Sequence, residues 1–577
     1  VSAAPASEHE TDGGGQPGAG DPGGANGPLR TLIATVVMAL FFMAIGAQLV
    51  RLALAGLTDS SISLSETVAQ SYARPDIVDR NGRLLATDVV AYSLFADPAR
   101  VLDRDEVIEK LAVVFPDLDR NALRRDLSDR DRRFVWVRRG LPPRTAQAVH
   151  DLGLPGLDFR RELRRAYPGG NLAGHVLGYV NIDNKGVSGI ERYVDDIVGV
   201  EAVQSATRAE RPPVRLSLDI GVQHAVEAEL ADAVKRYEAQ GAAGIVLDVD
   251  TGEIVASASL PEVDPARPNM DSARADKISG STFELGSVFK TLTVAMAIDQ
   301  ALATPETIVD VRKELKSGGF TIKDLHPLRR PLTVAEIFLH SSNVGAAMLA
   351  LQAGPDRFQA FLRHMQLTDA IKTEAGNVSP PQLPPRWGET ETITASYGHG
   401  IALAPLQFAA AASAVVNGGR KVTPTYIKRP FDSGVADIPL MSAATSQKMR
   451  DLMRRNVAEP AGTGKRADVP GYQVGGKTGT AEMPGVGGYR EKAVISSFLA
   501  AFPMDKPRYL VFVMLFEPTA NKETGGEVLA SRNAAPTTAR VISRIGPLLG
   551  ILPTQAALSG NSGLAFDAAS PAKYEAR

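Results

Sequence analysis

The chain has 577 residues, 44% of them hydrophobic and 22% charged. That is enough apolar material for sizeable cores, which excludes a wholly disordered or collagen-like chain. Lys and Arg number 63 against 65 Asp and Glu, a net charge of −2, so no global field points to nucleic acid. There is no cysteine, and disulfide scaffolds, thiolate zinc sites and cysteine nucleophiles drop out together. The eight His form no HExxH or comparable pair, so the sequence calls for neither a metal nor an organic cofactor.

Residues 1–29 hold eight Gly and four Pro with no Lys or Arg, the composition of a disordered tail. Thr31–Val50 follows, twenty residues without a charge between Arg30 and Arg51. At about 1.5 Å per helical residue this covers roughly 30 Å, one hydrocarbon core. A signal-peptide core runs only about 7–15 residues, so the expectation is a single transmembrane anchor at 30–54. Arg30 precedes it while Arg51 and Arg74 follow, and this balance does not set its orientation. No second such span follows, so the rest of the chain is expected on one side of the membrane.

From 55 to 212 the chain is mixed and charge-rich, and contains no catalytic constellation. Asp117–Arg139 carries eight Arg and five Asp, interleaved signs that predict solvated helices rather than an RNA-binding surface. Arg211-Pro-Pro reads as a linker into a domain at 213–556. There, Val214–Leu218 alternates as a short strand, and Asp219 is placed to cap a helix through about Tyr237. Ala243–Val249 and Glu253–Ser259, joined by Asp250-Thr251-Gly252, predict a hairpin. Ala-rich helices fill much of 290–420. Two more strands are expected at Ala493–Phe502 and Arg508–Phe516, then a helix at about Ala534–Leu549. This order predicts an α+β fold, an antiparallel sheet flanked by helices with a helical subdomain inserted. A flexible tail is expected at 557–577.

Three short motifs carry chemistry. In Ser287-Val288-Phe289-Lys290, a helix starting near Gly286 puts Ser287 and Lys290 on one face. A serine needs a base within hydrogen-bond reach, and a lysine serves if burial lowers its pKa. Alone the spacing is common by chance and more often marks an exposed helical lysine. Ser341-Ser342-Asn343 sits between the apolar run Leu332–Leu339 and the Ala-rich stretch from Val344. A turn there aims a hydroxyl and an amide into one cleft, or is simply a helix cap. In Lys477-Thr478-Gly479-Thr480, an edge strand points Lys477 and Gly479 opposite to Thr478 and Thr480. Such an edge holds an extended peptide by backbone pairing, and Gly479 leaves room for close approach. Gly471–Thr478 also satisfies GxxxxGK[ST], but that phosphate loop needs a strand before it and a helix after, and neither flank fits.

The joint order is what weighs: SxxK, SxN 54 residues on, and KTG 136 residues further. SxxK with SDN and KTG marks the penicillin-binding proteins and class A β-lactamases. The middle motif here, Ser-Ser-Asn, resembles the penicillin-binding proteins more. Arg74-Pro-Asp-Ile-Val-Asp-Arg-Asn-Gly-Arg-Leu-Leu-Ala resembles the opening of the pedestal domain of class B penicillin-binding proteins. Arg164-Arg-Ala-Tyr-Pro-Gly-Gly-Asn-Leu-Ala-Gly-His-Val-Leu-Gly, with Gly186-Val-Ser-Gly-Ile-Glu191, resembles a second pedestal motif. Tyr397-Gly-His-Gly through Ala404-Pro-Leu-Gln407 is similar to a further transpeptidase stretch. The likeness is nearest to the division-specific FtsI family of septal peptidoglycan transpeptidases. Phe283-Glu284-Leu285 stands where many members have Tyr-Glu-Pro, and Val288 where many have Thr.

That resemblance implies a transmembrane helix, an elongated pedestal at 55–212, and a penicilloyl-serine transferase domain outside the cytoplasmic membrane. It implies that Ser287 attacks the penultimate D-Ala carbonyl, Lys290 takes the hydroxyl proton, and Ser341 relays it to the leaving amine, bridged by Lys477. Asn343 would hold the donor amide, Thr478, Gly479 and Thr480 would bind its carboxylate end, and the backbone N–H groups of Ser287 and Thr480 would form the oxyanion hole. The implied partners are stem peptides, lipid-linked nascent glycan, β-lactams, the septal glycosyltransferase FtsW and other division proteins. An elongation-specific transpeptidase, a β-lactam sensor without turnover and a β-lactamase are the alternatives, the last disfavoured by pedestal and anchor.

Overall fold

The computed structural model describes residues 27–58, 74–203, 212–269, 271–430, 437–485 and 488–554. Of the tails expected at 1–29 and 557–577, residues 1–26 and 557–577 lie outside the described residues, as does Arg211 of the expected linker, whereas 27–29 are helical.

Residues 1–68 and 69–577 form two separate units. In the first, helix α1 runs from Gly27 to Thr58. It begins ahead of the boundary read from the sequence, because Pro28 is tolerated in a first helical turn. Its apolar side chains, Phe41, Phe42 and Met43 among them, are exposed. Among the described residues no helix is long and apolar enough to cross a membrane.

In the second unit, strands β1 (Ile77–Val78), β2 (Leu84–Ala96), β3 (Val135–Leu141), β4 (Leu157–Ala166) and β5 (Val214–Arg215) build a first sheet. Strands β3 and β4 both pair antiparallel with β2. Helices α2 (Arg104–Val114), α3 (Arg120–Asp126) and α4 (Pro143–His150) accompany it, and Leu94, Val107, Leu111, Leu123, Leu141 and Val149 fill the core. Asp103 and Asp119 start α2 and α3, each carboxylate accepting two backbone N–H groups, a normal N-cap.

The charge-rich stretch is only partly helical. Residues 120–126 form α3, whereas 135–141 form strand β3. Arg138 pairs with Asp117 of a turn, and Arg139 with Glu162 of β4 and Asp183 of a second turn, so these arginines are neutralised and do not oppose strand formation.

The two pedestal-like segments meet in a buried ionic knot. Arg74 Nε donates to Glu191 Oε2 at 3.0 Å, and Arg165 Nε to Glu191 Oε1 at 2.7 Å. Arg165 also reaches Asp88 Oδ1 at 3.2 Å and Pro75 O at 3.0 Å. Glu191 lies on helix α5 (Gly189–Val203).

The larger sheet contains, among the described residues, β6 (Gly241–Asp248), β7 (Ile254–Leu260), β8 (Gly475–Gly485), β9 (Gly488–Phe502) and β10 (Tyr509–Phe516), in spatial order β8-β9-β10-β6-β7. Every neighbouring pair is antiparallel. Helices α6 (Ile220–Arg236) and α10 (Ala534–Leu548) cover one face, taking Val246, Val511, Val513 and Leu515 into their core. Ile245, Leu247, Phe512 and Met514 face the opposite core, with the helices inserted between β7 and β8. Period-two side chains alternate between two buried faces, so β10 is apolar throughout, Tyr-Leu-Val-Phe-Val-Met-Leu-Phe. Asp219 caps α6 as the sequence suggests, accepting from Gly221 and Val222. Gly475–Lys477 lie within β8 and a strand continues after them, which rules out the phosphate-loop geometry.

Candidate active site

Three elements converge where the edge strand β8 meets the inserted helices. The first is a 3₁₀ turn, Gly286–Phe289, running directly into α7 (Lys290–Asp299). With three residues per turn, positions i and i+3 eclipse, and Lys290 Nζ donates to Ser287 Oγ at 3.0 Å. Gly286 has φ +59°, and a Cβ there would lie 2.8 Å from Thr480 O. Only glycine lets the turn pass this close to the strand.

The second element is the turn between α8 (Val334–Leu339) and α9 (Asn343–Ala353). Ser341 takes a left-handed φ of +60°, an uncommon conformation for serine. That twist aims both its oxygens inward. Lys290 Nζ donates to Ser341 O at 2.6 Å, to Ser341 Oγ at 3.2 Å and to Asn343 Oδ1 at 2.7 Å.

The third is β8 itself. Lys477 Nζ donates to Ser341 Oγ at 2.9 Å and stands 5.8 Å from the Phe338 ring centroid. Gly479 points the same way: a Cβ would sit 2.8 Å from Leu285 O and 2.5 Å from Ser497 Oγ. On the other face, Thr478 Oγ1 donates to Thr463 Oγ1 at 2.8 Å. Thr480 Oγ1 accepts from Ala530 N at 3.2 Å.

Both lysines are fully buried. Burial, then the charge of Lys477, holds Lys290 well below the ordinary lysine value, with Asp324 opposing. Burial lowers Lys477 to about 7. Two ammonium groups sharing one hydroxyl in a dry site repel, so a proton missing from one of them is the favoured state near neutrality. The cluster therefore offers a nucleophile beside a neutral amine, and a hydroxyl bridging that amine to a second lysine.

Among the described residues no cluster of three His, Asp or Glu is placed to hold a metal ion. The motif positions Ser287, Lys290, Ser341, Asn343 and Lys477 thus form one hydrogen-bonded group, with Thr478, Gly479 and Thr480 along the adjoining strand.

Residues 242–537 match the penicillin binding protein transpeptidase domain, and residues 70–208 the penicillin-binding protein dimerisation domain. The chain is 38% identical over 488 residues to a probable peptidoglycan D,D-transpeptidase FtsI of Caulobacter vibrioides, covering 83% of this chain and 82% of that protein. It belongs to the class B penicillin-binding proteins of FtsI type. A probable peptidoglycan D,D-transpeptidase PenA of Neisseria meningitidis is 31% identical, over 86% of this chain and 88% of its own length. Penicillin binding protein 3 of Mycobacterium tuberculosis, solved with aztreonam, matches with TM-score 0.62 and 25% identity, over 85% of this chain and 98% of that one.

In this penicillin-binding protein, several site residues carry no motif legible from the sequence. Thr463 and Asn456 prop the KTG strand: Asn456 Nδ2 donates to Gly476 O at 2.8 Å and its Oδ1 accepts from Thr463 N at 3.0 Å. Glu284 accepts from Tyr489 OH at 2.9 Å and Gly400 N at 3.0 Å, linking the serine motif, the Tyr397–Gly400 stretch and the β8–β9 hairpin. Glu284 was legible only as part of a family-like string. Thr463 lies 14 residues before Lys477 with no spacing rule to pick it out.

Proposed function

We propose that this chain is a membrane-anchored peptidoglycan D,D-transpeptidase that cross-links stem peptides at the division septum. The observation that carries the reading is the Lys290–Ser287 hydrogen bond at 3.0 Å within a group closed by Ser341 and Lys477.

In acylation, Ser287 Oγ bonds to the carbonyl carbon of the penultimate D-Ala while neutral Lys290 Nζ accepts the hydroxyl proton. The carbonyl oxygen becomes an oxyanion held by the backbone N–H groups of Ser287 and Thr480. Loss of one such donor costs roughly 3 kcal/mol of barrier lowering. The tetrahedral adduct collapses with cleavage of the amide bond, and Ser341 Oγ–H protonates the leaving D-Ala nitrogen. Ser341 recovers its proton from the lysine pair. Asn343 holds the donor amide, and Thr478 and Thr480 receive its terminal carboxylate. In the second half, the amine of another stem peptide attacks the ester, and Ser287 leaves with its proton restored. β-Lactams enter at the first step and stop at the ester.

The twenty uncharged residues Thr31–Val50 support a single-pass anchor in the cytoplasmic membrane, with residues 74–554 on its outer side. The acceptor then arrives on lipid-linked nascent glycan, and FtsW and other division proteins are the proposed partners of α1 and of the segment 55–212. The FtsI name borne by the Caulobacter and Escherichia coli relatives supports the septal role over elongation.

The test is product analysis of the full-length chain in detergent with a D-Ala-D-Ala pentapeptide donor and an amine acceptor. Released D-Ala with a new amide-linked dimer is expected. Acylation by penicillin with neither product would point to a sensor. For the cellular role, depletion is expected to give filaments, whereas rounded cells would indicate elongation.

A further inference from the structure

We propose that the exposed loop 323–330 is the wall of the cleft that receives the second, amine-bearing stem peptide, with Lys323 and Arg329 taking its carboxylate beside Leu325. The proposal deepens the acyl-serine reading above and rests on it.

The ester on Ser287 is opened in one of two ways. An amine forms an amide and closes the cross-link, whereas water forms a free acid; Ser287 Oγ takes up a proton in both. Which one prevails depends on a surface that holds the amine at the ester, because positioning raises its effective concentration by orders of magnitude. The donor lies along β8 with its carboxylate at Thr478 and Thr480, and that strand is then fully used. Opposite β8 stands the turn 341–343, where Ser341 Oγ meets Lys477 Nζ at 2.9 Å. The same wall continues into loop 323–330, since Lys323 O accepts from Asn343 Nδ2 at 3.1 Å.

That loop follows a short hairpin, Leu315–Ser317 paired with Phe320–Ile322. Ile322 is buried, but Lys323 and every residue from Leu325 to Arg330 are exposed. Leu325 is 70% exposed, an apolar side chain left in water two residues from the carbonyl that touches Asn343. The charges of the loop divide into spent and free. Asp324 accepts from Ser342 Oγ, Asn343 N and Val344 N, and Arg330 pairs with Glu336 at 2.6 Å. Among the described residues, the Lys323 ammonium and the Arg329 guanidinium have no hydrogen-bond or acidic partner. Arg329 also has a left-handed φ of +53°, a conformation kept only where the surroundings fix it.

Two free cations and one bare leucine find their complement in the acceptor. A stem peptide that supplies the amine also ends in its own carboxylate and carries alanine methyl groups. The threonines of β8 already hold the donor's carboxylate, so a second carboxylate needs a second site. Charge-assisted hydrogen bonds to Lys323 and Arg329 supply it. Water gains nothing from this wall, so the loop favours the amine in opening the ester.

The experiment measures how the acylated enzyme partitions between amine and water. The full-length chain in detergent receives a D-Ala-D-Ala pentapeptide donor and one of two acceptors. These are a stem tetrapeptide with a free C-terminal carboxylate, and the same peptide as its C-terminal amide. The ratio of dimer to hydrolysed donor is read by mass, and it does not depend on how fast the ester forms. The parent is expected to favour the carboxylate acceptor. In Lys323→Glu/Arg329→Glu that preference is expected to vanish, the ratio falling about tenfold or more for the carboxylate acceptor and little for the amide. Equal use of both acceptors by the parent overturns the proposal. So does a parent-like ratio in the variant, an equal fall for both acceptors, or a parent that acylates yet forms no dimer with either. Melting curves establish folding; if the double reversal does not fold, Lys323→Gln/Arg329→Gln decides by the same ratio. A folded parent that takes no penicillin on Ser287 would instead refute the acyl-serine reading, and the proposal with it.

Discussion

Lys290 and Lys477 reach one hydroxyl from opposite elements: their Nζ atoms lie 3.2 and 2.9 Å from Ser341 Oγ. Each lysine is fully buried, and each is therefore pushed toward its neutral form. One shared proton between two amines is the arrangement a serine nucleophile and an amine leaving group require in turn.

The first consequence is a pH profile. Acylation needs Lys290 neutral, so its rate rises with pH. Burial and the Lys477 charge hold Lys290 well below the ordinary lysine value, so the plateau is expected well below the pH at which a free lysine titrates. Stopped-flow acylation checks this, and a rate still climbing at about pH 10 would contradict it.

Lys477→Met removes the cation facing Lys290. Lys290 then holds its proton more tightly, and the ascending limb moves to higher pH. The acylation rate falls by about a hundredfold or more, since the bridge through Ser341 is lost. The same kinetic assay reads both effects.

Stability carries the same signature. The folded protein binds the Lys477 proton only below about 7, whereas an unfolded lysine binds it up to about 10.4. Between these values the unfolded chain holds more protons, so stability rises with pH, by at most about 1.4 kcal/mol per unit for one group. Below about 7 this contribution is flat. In Lys477→Met the slope is expected to shrink, measured by denaturant unfolding between about pH 7 and 9.5.

Gly479→Ala places a methyl 2.5 Å from Ser497 Oγ and 2.8 Å from Leu285 O and Val288 Cγ1. The backbone oxygen cannot step aside, so the edge strand must lift from the serine turn. A loss of about 1–3 kcal/mol in stability and strongly reduced acylation are expected from melting curves and penicillin labelling.

In the knot at residues 74–195, Glu191→Ala leaves Arg74 and Arg165 facing each other without their shared carboxylate. Breaking a buried pair costs about 3–5 kcal/mol. The protein that remains folded is expected to acylate at the parent rate, because the knot holds the non-catalytic sheet and not the serine. A loss of acylation rate without loss of stability would contradict that assignment.

Much of this was legible from the chain. Asp219 announced its helix, the strand runs at 243–249, 253–259, 493–502 and 508–516 were visible, and the three motifs marked the side chains that the fold gathers into one hydrogen-bonded group. The misreading of residues 135–141 has a plain cause: Arg138 and Arg139 look solvated until Asp117, Glu162 and Asp183 are brought opposite them by the fold. The Ser341-Ser342-Asn343 stretch fulfils both of its readings: Ser342 caps α9, while Ser341 takes the left-handed conformation that turns its oxygens to Lys290. Thr463 was invisible because it lies at no helical or strand spacing from the residue it holds. Its role arises from tertiary placement alone.

The central claim is that Ser287 is the acylated nucleophile of this site. The direct measurement is labelling of the full-length chain with a fluorescent penicillin, followed by intact mass and peptide mapping. A slowly lost adduct on Ser287, absent in Ser287→Ala, is the expected result. A folded protein that takes no adduct, or takes it at another residue, would contradict the account.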